Sequence, residues 1–279
     1  MEPEQSYERK WELGLTWESK ETATRGDKSP AARFLSYELF RAAVGEFLGT
    51  MLFLFNVITI ARFVTEVDDA SQSSASTLMI AYGFGLSIFV LVYIMAGVSG
   101  ANLNPAVSIG LLVGKRITVE RFIVYVISQV LGAMAGAGIA TVFLSGTEGG
   151  FNAIAPGVRV RDAFGGEVLC TFLLVVTVFA ATDGEIVRKT GHTGPLLPLV
   201  IGMAVLVDHL VLIPVDGCSI NPARSFATAV TNDKWADHWV FWVGPLLGGV
   251  LATLVWEAIL RPDQPVEEKE KPMVQATSV

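Results

Sequence analysis

Cysteine and histidine are scarce in this chain. Cys170 and Cys218, with His192, His209 and His238, are the whole supply. Both cysteines lie in or beside apolar runs, which leaves neither a disulfide framework nor a cysteine-rich metal site. The histidines have no paired spacing, so no metal or cofactor is expected. Charge is thin too: 17% of residues are charged, against about 25% in soluble domains. The net charge of −7 comes largely from acidic tails and says little about partners. No basic stripe with interleaved aromatics is present, which excludes nucleic acid as a partner. No nucleophile–base pair, metal cluster or phosphate loop is present either, so the chain does not read as an enzyme.

What the chain has in quantity is apolar length. Half of its 279 residues, 52%, are hydrophobic. Six stretches, near 39–62, 76–98, 121–144, 163–182, 195–215 and 238–260, approach or exceed the roughly 20 residues a helix needs to cross a bilayer. The first 35 or so residues are polar, which predicts no cleavable signal peptide and a first span acting as an uncleaved anchor. With the N-terminus inside, fifteen of the twenty Lys and Arg fall on inside segments, so both termini are expected in the cytoplasm.

Two shorter apolar segments, 104–113 and 221–231, would cover about half the hydrocarbon layer as helices at roughly 1.5 Å per residue. They read as re-entrant half-helices, buried in protein or lining a wet cavity. A repeat places them. Gly45-Glu46-Phe47-Leu48-Gly49-Thr50 is echoed by Gly166-Glu167-Val168-Leu169-Cys170-Thr171, and each half runs span, span, half-helix, span. Three spans per half is odd, so the second half must enter the membrane from the opposite side. Such an inverted repeat carries its working site near the midplane.

Each half-helix opens on the same triplet, Asn104-Pro105-Ala106 and Asn221-Pro222-Ala223. Asn is a favoured N-cap and Pro a favoured first helical residue, so Asn-Pro is a helix-start signal, here set inside a membrane. Entering from opposite faces, the half-helices would meet N-terminus to N-terminus, each contributing about half a positive charge. Cations, hydronium included, would be repelled. An asparagine amide on each side could donate to a passing water, depriving it of the acceptor role that a proton wire needs.

These features resemble the aquaporins, or major intrinsic proteins, over about residues 38–262, and within them the plant plasma-membrane intrinsic proteins. The matching text includes Ser99-Gly100-Ala101-Asn102-Leu103-Asn104-Pro105-Ala106-Val107, Ile220-Asn221-Pro222-Ala223-Arg224-Ser225 and Trp239-Val240-Phe241-Trp242-Val243-Gly244-Pro245. The resemblance implies an all-α membrane protein: an inverted repeat of six transmembrane helices plus two re-entrant half-helices. Its channel domain would occupy 38–262, with halves about 38–144 and 163–262, between cytoplasmic tails 1–37 and 263–279. It further implies a homotetramer in a lipid bilayer, in the plasma membrane, with a pore in every subunit.

By the same resemblance, Phe84, His209, Cys218 and Arg224 form a selectivity filter. Phe84 and His209 are bulky, and Arg224 adds a fixed charge, a set suited to water. Glycerol channels carry a small residue where His209 stands. Ser225 stands where glycerol channels usually have Asp, and Phe241-Trp242 matches the water-channel pattern. Hydrogen peroxide is an alternative or secondary substrate, glycerol a poorer one, and a non-transporting scaffold the weakest reading. Glu46 and Glu167 would brace the re-entrant loops as buried structural charges. Cys218 would offer a mercurial-sensitive or an inert thiol. His192 and Thr118 stand at positions associated with gating. Two departures stand out: Asn102 replaces a common His, and Asp208 calls for a partner or a wet surface, at a subunit interface or an outer vestibule.

Overall fold

A computed structural model describes residues 36–67, 74–186 and 196–262. The expected tails lie almost wholly outside these residues, as does His192. Among the described residues the regular structure is helical. Helices α1 (Tyr37–Val67), α2 (Ser74–Met95), α4 (Val119–Phe143), α5 (Val160–Thr182) and α6 (Leu197–Asp216) are long and apolar enough to span a bilayer. So is α8 (Val240–Val255) together with the π-turn Trp256–Leu260 that continues it. The half-helices are α3 (Pro105–Val113) and α7 (Pro222–Asn232).

The expected spans and the observed helices differ by a few residues at most ends. The largest difference is α1, which runs on to Val67. Arg62 and Glu66 look like the end of an apolar run, but the Arg62 guanidinium is buried and donates to Gly149 O at 3.4 Å and Asn232 Oδ1 at 3.2 Å. With its charge hydrogen-bonded, the helix has no reason to stop there.

Helix packing repeats the sequence duplication. Within the halves α1 packs on α4 and α5 on α8; across them α2 packs on α6. Each half-helix packs on the last span of the opposite half, α3 on α8 and α7 on α4. Large apolar side chains such as Tyr93, Val142 and Leu169 stay exposed on the long helices, as lipid-facing residues should. Between helices there is no hydrophobic drive in lipid, so close approach through small residues does the work. Gly136 of α4 lies so near α1 that a Cβ there would sit 2.1 Å from Met51 O. Gly85 of α2 and Gly202 of α6 meet backbone to backbone, bringing together the helices that carry Phe84 and His209.

Candidate functional site: a midplane junction and a ring of side chains

The segments leading into α3 and α7 share one unusual backbone. Gly100, Ala101 and Leu103 have positive φ, and so do Gly217, Cys218 and Ile220, in the same order and at the same distance before each asparagine. Non-glycine residues in this region cost on the order of 1–3 kcal/mol each and persist only where the surroundings hold them. Two buried carboxylates do the holding. Glu46 of α1 accepts Asn102 N at 2.9 Å, Leu103 N at 2.7 Å, Ser99 Oγ at 2.6 Å and Gln129 Nε2 at 2.7 Å. Glu167 of α5 accepts Ser219 N at 2.6 Å and Ile220 N at 2.7 Å. Backbone N–H groups that point away from any helix are thus satisfied inside the membrane, where leaving them bare would be costly.

Both asparagines are extended N-caps. Asn104 Oδ1 accepts Ala106 N at 2.8 Å, and Asn221 Oδ1 accepts Ala223 N at 3.1 Å and Arg224 N at 3.3 Å. Pro105 and Pro222 occupy the first helical turn, where a missing N–H costs nothing. Each amide then reaches across: Asn104 Nδ2 donates to Ile220 O at 2.7 Å, and Asn221 Nδ2 to Leu103 O at 2.9 Å. The half-helices therefore meet start to start, tied by two crossed bonds. An amide nitrogen carries two hydrogens, so each asparagine keeps one N–H for another acceptor.

Phe84, His209, Cys218 and Arg224 all lie in the interior. The Phe84 and His209 ring centroids are 3.9 Å apart, and the Arg224 guanidinium carbon is 5.5 Å from the Phe84 centroid. The His209 ring is fixed by Nδ1 against Val205 O at 2.8 Å, while Nε2 has no hydrogen-bond partner among the described residues. Arg224 donates from Nη2 to Gly217 O at 3.2 Å and from Nη1 to Asn152 Oδ1. The structure thus brings Phe84, His209 and Arg224 together as two rings in contact with one guanidinium beside them. The thiol of Cys218 exposes no surface, the arrangement of an inert buried cysteine.

Asn152 is a residue that sequence reasoning missed. It lies in the segment between α4 and α5, 72 residues from Arg224, and no local pattern singles it out. Its Oδ1 takes both Arg224 and Ser225 Oγ, the latter at 2.7 Å, while its Nδ2 donates to Asp216 O at 3.2 Å. Gln129 was also missed, since a single Gln in an apolar span gives no hint that it will meet Glu46. Asn102 donates to Ser108 Oγ at 3.2 Å, beside α3. Thr118 caps α4 by accepting Arg121 N at 3.3 Å. Asp208 is sealed inside the chain, facing neither a subunit interface nor a vestibule. Packing of α6 against α5 and α2 closes both options.

Comparison with known proteins agrees with this architecture. The family model described as "Major intrinsic protein" matches residues 33–256. A PIP-type aquaporin of Atriplex canescens is 43% identical over 248 residues, covering 84% of this chain and 87% of that protein. A probable aquaporin of PIP-type 7a from Pisum sativum is 39% identical over 264 residues, covering 89% and 91%. The solved structure of the aquaglyceroporin from Plasmodium falciparum superposes with a TM-score of 0.71 at 25% identity, covering 80% of this chain and 98% of that one.

Proposed function

The chain belongs to the major intrinsic protein family, and from that premise we infer that it is a water-selective membrane channel, passing water down osmotic gradients while excluding protons and ions. The observation that carries this reading is the pair of crossed asparagine bonds. They hold two helix N-termini against each other, and each asparagine keeps one donor. A water accepting from both is turned with its own hydrogens away from the junction, so a chain of waters cannot relay a proton past it. The facing dipoles add about half a positive charge apiece. An ion faces the further cost of shedding its water, tens of kcal/mol by idealised Born solvation.

Selection among neutral molecules is assigned to Phe84, His209, Cys218 and Arg224. The support for it is steric and electrostatic: two rings in contact and one guanidinium beside them. Hydrogen peroxide, near water in size and hydrogen bonding, belongs to the proposal as a secondary substrate. So do a homotetramer of independently conducting subunits, cytoplasmic termini and a plasma-membrane location. His192 and Thr118 are proposed to govern opening.

Purified protein in proteoliposomes, challenged with an osmotic step in a stopped-flow instrument, tests the central claim. The expected result is fast water-driven shrinkage with no proton leak and no glycerol uptake. Shrinkage no faster than in protein-free vesicles would overturn it.

A further inference from the structure

Arg62 sits where two supports of Arg224 come together. One support is α7 itself, with Arg224 in its first turn and Asn232 as its last residue. Asn232 turns its amide nitrogen back to Thr228 O at 2.9 Å, which leaves Oδ1 to accept, and Arg62 Nη2 donates to that oxygen at 3.2 Å. The guanidinium thereby stands at the helix C-terminus, where the peptide dipoles place about half a negative charge. The other support is the segment 149–155, between α4 and α5, whose Asn152 gives Arg224 and Ser225 their shared acceptor.

That segment bridges the two halves. Gly149 and Gly150 both have positive φ and lie against α1. A Cβ on Gly150 would stand 3.1 Å from Ile58 Cδ1 and 3.5 Å from Ala61 Cβ, and one on Gly149 would stand 3.3 Å from Thr65 Oγ1. Positions 58, 61, 62 and 65 share one face of a helix. From that face Arg62 Nε donates to Gly149 O at 3.4 Å. Downstream the segment is pinned to the end of α6, with Ala153 N donating to Asp216 O at 3.1 Å and Ala155 N to Val215 O at 2.8 Å. Arg62 is buried, its two acceptors are neutral oxygens, and Nη1 has no hydrogen-bond partner among the described residues. A buried charge on neutral acceptors keeps much of its desolvation cost, so its net contribution to stability is small. What it contributes is geometry.

We propose that Arg62 is a positioning residue for the filter: from α1 it ties the far end of α7 and the segment carrying Asn152 to one point, and so fixes Arg224 from both sides. A rigid guanidinium fork suits the task, because its nitrogens can hold two acceptors from different segments at once. The first half thereby sets the place of a cation that belongs to the second. This deepens the channel reading and rests on it for the filter role of Arg224.

Hydrogen exchange of the full chain in lipid bilayers, read by mass spectrometry, tests the anchoring. In Arg62→Met the amides of 149–155 and of 228–234 should exchange roughly tenfold faster or more, since both segments lose a charge-assisted bond. Asn232→Ala removes the α7 acceptor alone, so 228–234 should loosen while 149–155 keeps its protection. Unchanged exchange in Arg62→Met overturns the proposal, and so does an Asn232→Ala that loosens both segments alike. If Arg62→Met does not assemble, the Asn232→Ala pattern decides. Proteoliposomes with a trapped pH-sensitive dye test the consequence for Arg224. Per unit of water flow, Arg62→Met should leak protons as Arg224→Val does, though less, and should lose less Tm than Gly136→Ala. Gly136→Ala disturbs α1 without touching these bonds and should stay proton-tight. A proton-tight Arg62→Met beside a leaking Arg224→Val overturns the positioning role, and so does an equal leak in Gly136→Ala. An Arg224→Val that leaks nothing sinks the filter reading instead, and the exchange result then decides the anchoring by itself.

Discussion

Phe84 of α2 and His209 of α6 meet ring against ring, with centroids 3.9 Å apart and planes tilted by 34°. The backbones of their helices touch at Gly85 and Gly202, so the contact is set by helix packing and not by the side chains alone. A substitution at His209 therefore opens space that the helices cannot close by moving together. His209→Ala should raise glycerol permeability by roughly 10-fold or more, the scale of discrimination that a single steric contact provides. Water permeability should hold. Stopped-flow swelling with glycerol and water steps reads both, and unchanged exclusion of glycerol would show that the constriction lies elsewhere.

Arg224 stands beside the same pair of rings, its guanidinium carbon 5.5 Å from the Phe84 centroid, and is proposed as the cation of the filter. Arg224→Val should let small cations and protons leak while leaving water flow largely intact, because the fixed charge is lost and the opening grows. A pH-sensitive dye trapped in the vesicles reads the leak. Silence of the dye in this variant would mean that the asparagine junction excludes protons unaided.

Glu46 serves four donors. In Glu46→Gln one acceptor oxygen becomes an amide donor that confronts them. The expected cost is about 1–3 kcal/mol for each buried group left unpaired. Thermal unfolding in detergent, followed by tryptophan fluorescence, should show a clear drop in Tm, and a Tm equal to that of the wild type would remove Glu46 as a brace.

Gly136 and Gly138 are neighbours on α4 with opposite surroundings. A Cβ at Gly136 would strike Met51 O, whereas at Gly138 nothing lies within 4 Å. Gly136→Ala should destabilise by about 1–3 kcal/mol through overpacking, and Gly138→Ala should not. Equal Tm values for the two variants would contradict the close crossing of α1 and α4.

Gating at His192 rests on imidazole chemistry. Protonation on acidification to about pH 6 should lower water permeability, and His192→Ala should abolish that response. Proteoliposomes whose permeability is the same at neutral and mildly acidic pH would dismiss the proposal.

The path from sequence to site was uneven for physical reasons. Spans, half-helices and the two triplets were legible because apolar length and Asn-Pro caps are local signals. Glu46 and Glu167 were legible because the duplication printed them twice. Asn152, Gln129 and Ser99 were not, since their importance arises only when distant segments meet. Asp208 was noticed and misplaced, because the sequence marks an acid in a span without saying which helices close over it.

The crossed bonds between Asn104, Asn221 and the carbonyls of Ile220 and Leu103 have a mechanical meaning as well. Neither half can slide or tilt without breaking a bond that belongs to the other. The centre of the molecule is thus a clasp, the part least free to move. A valve acting on this pore would have to work at its mouths, and the duplicated halves are bound to function as one piece.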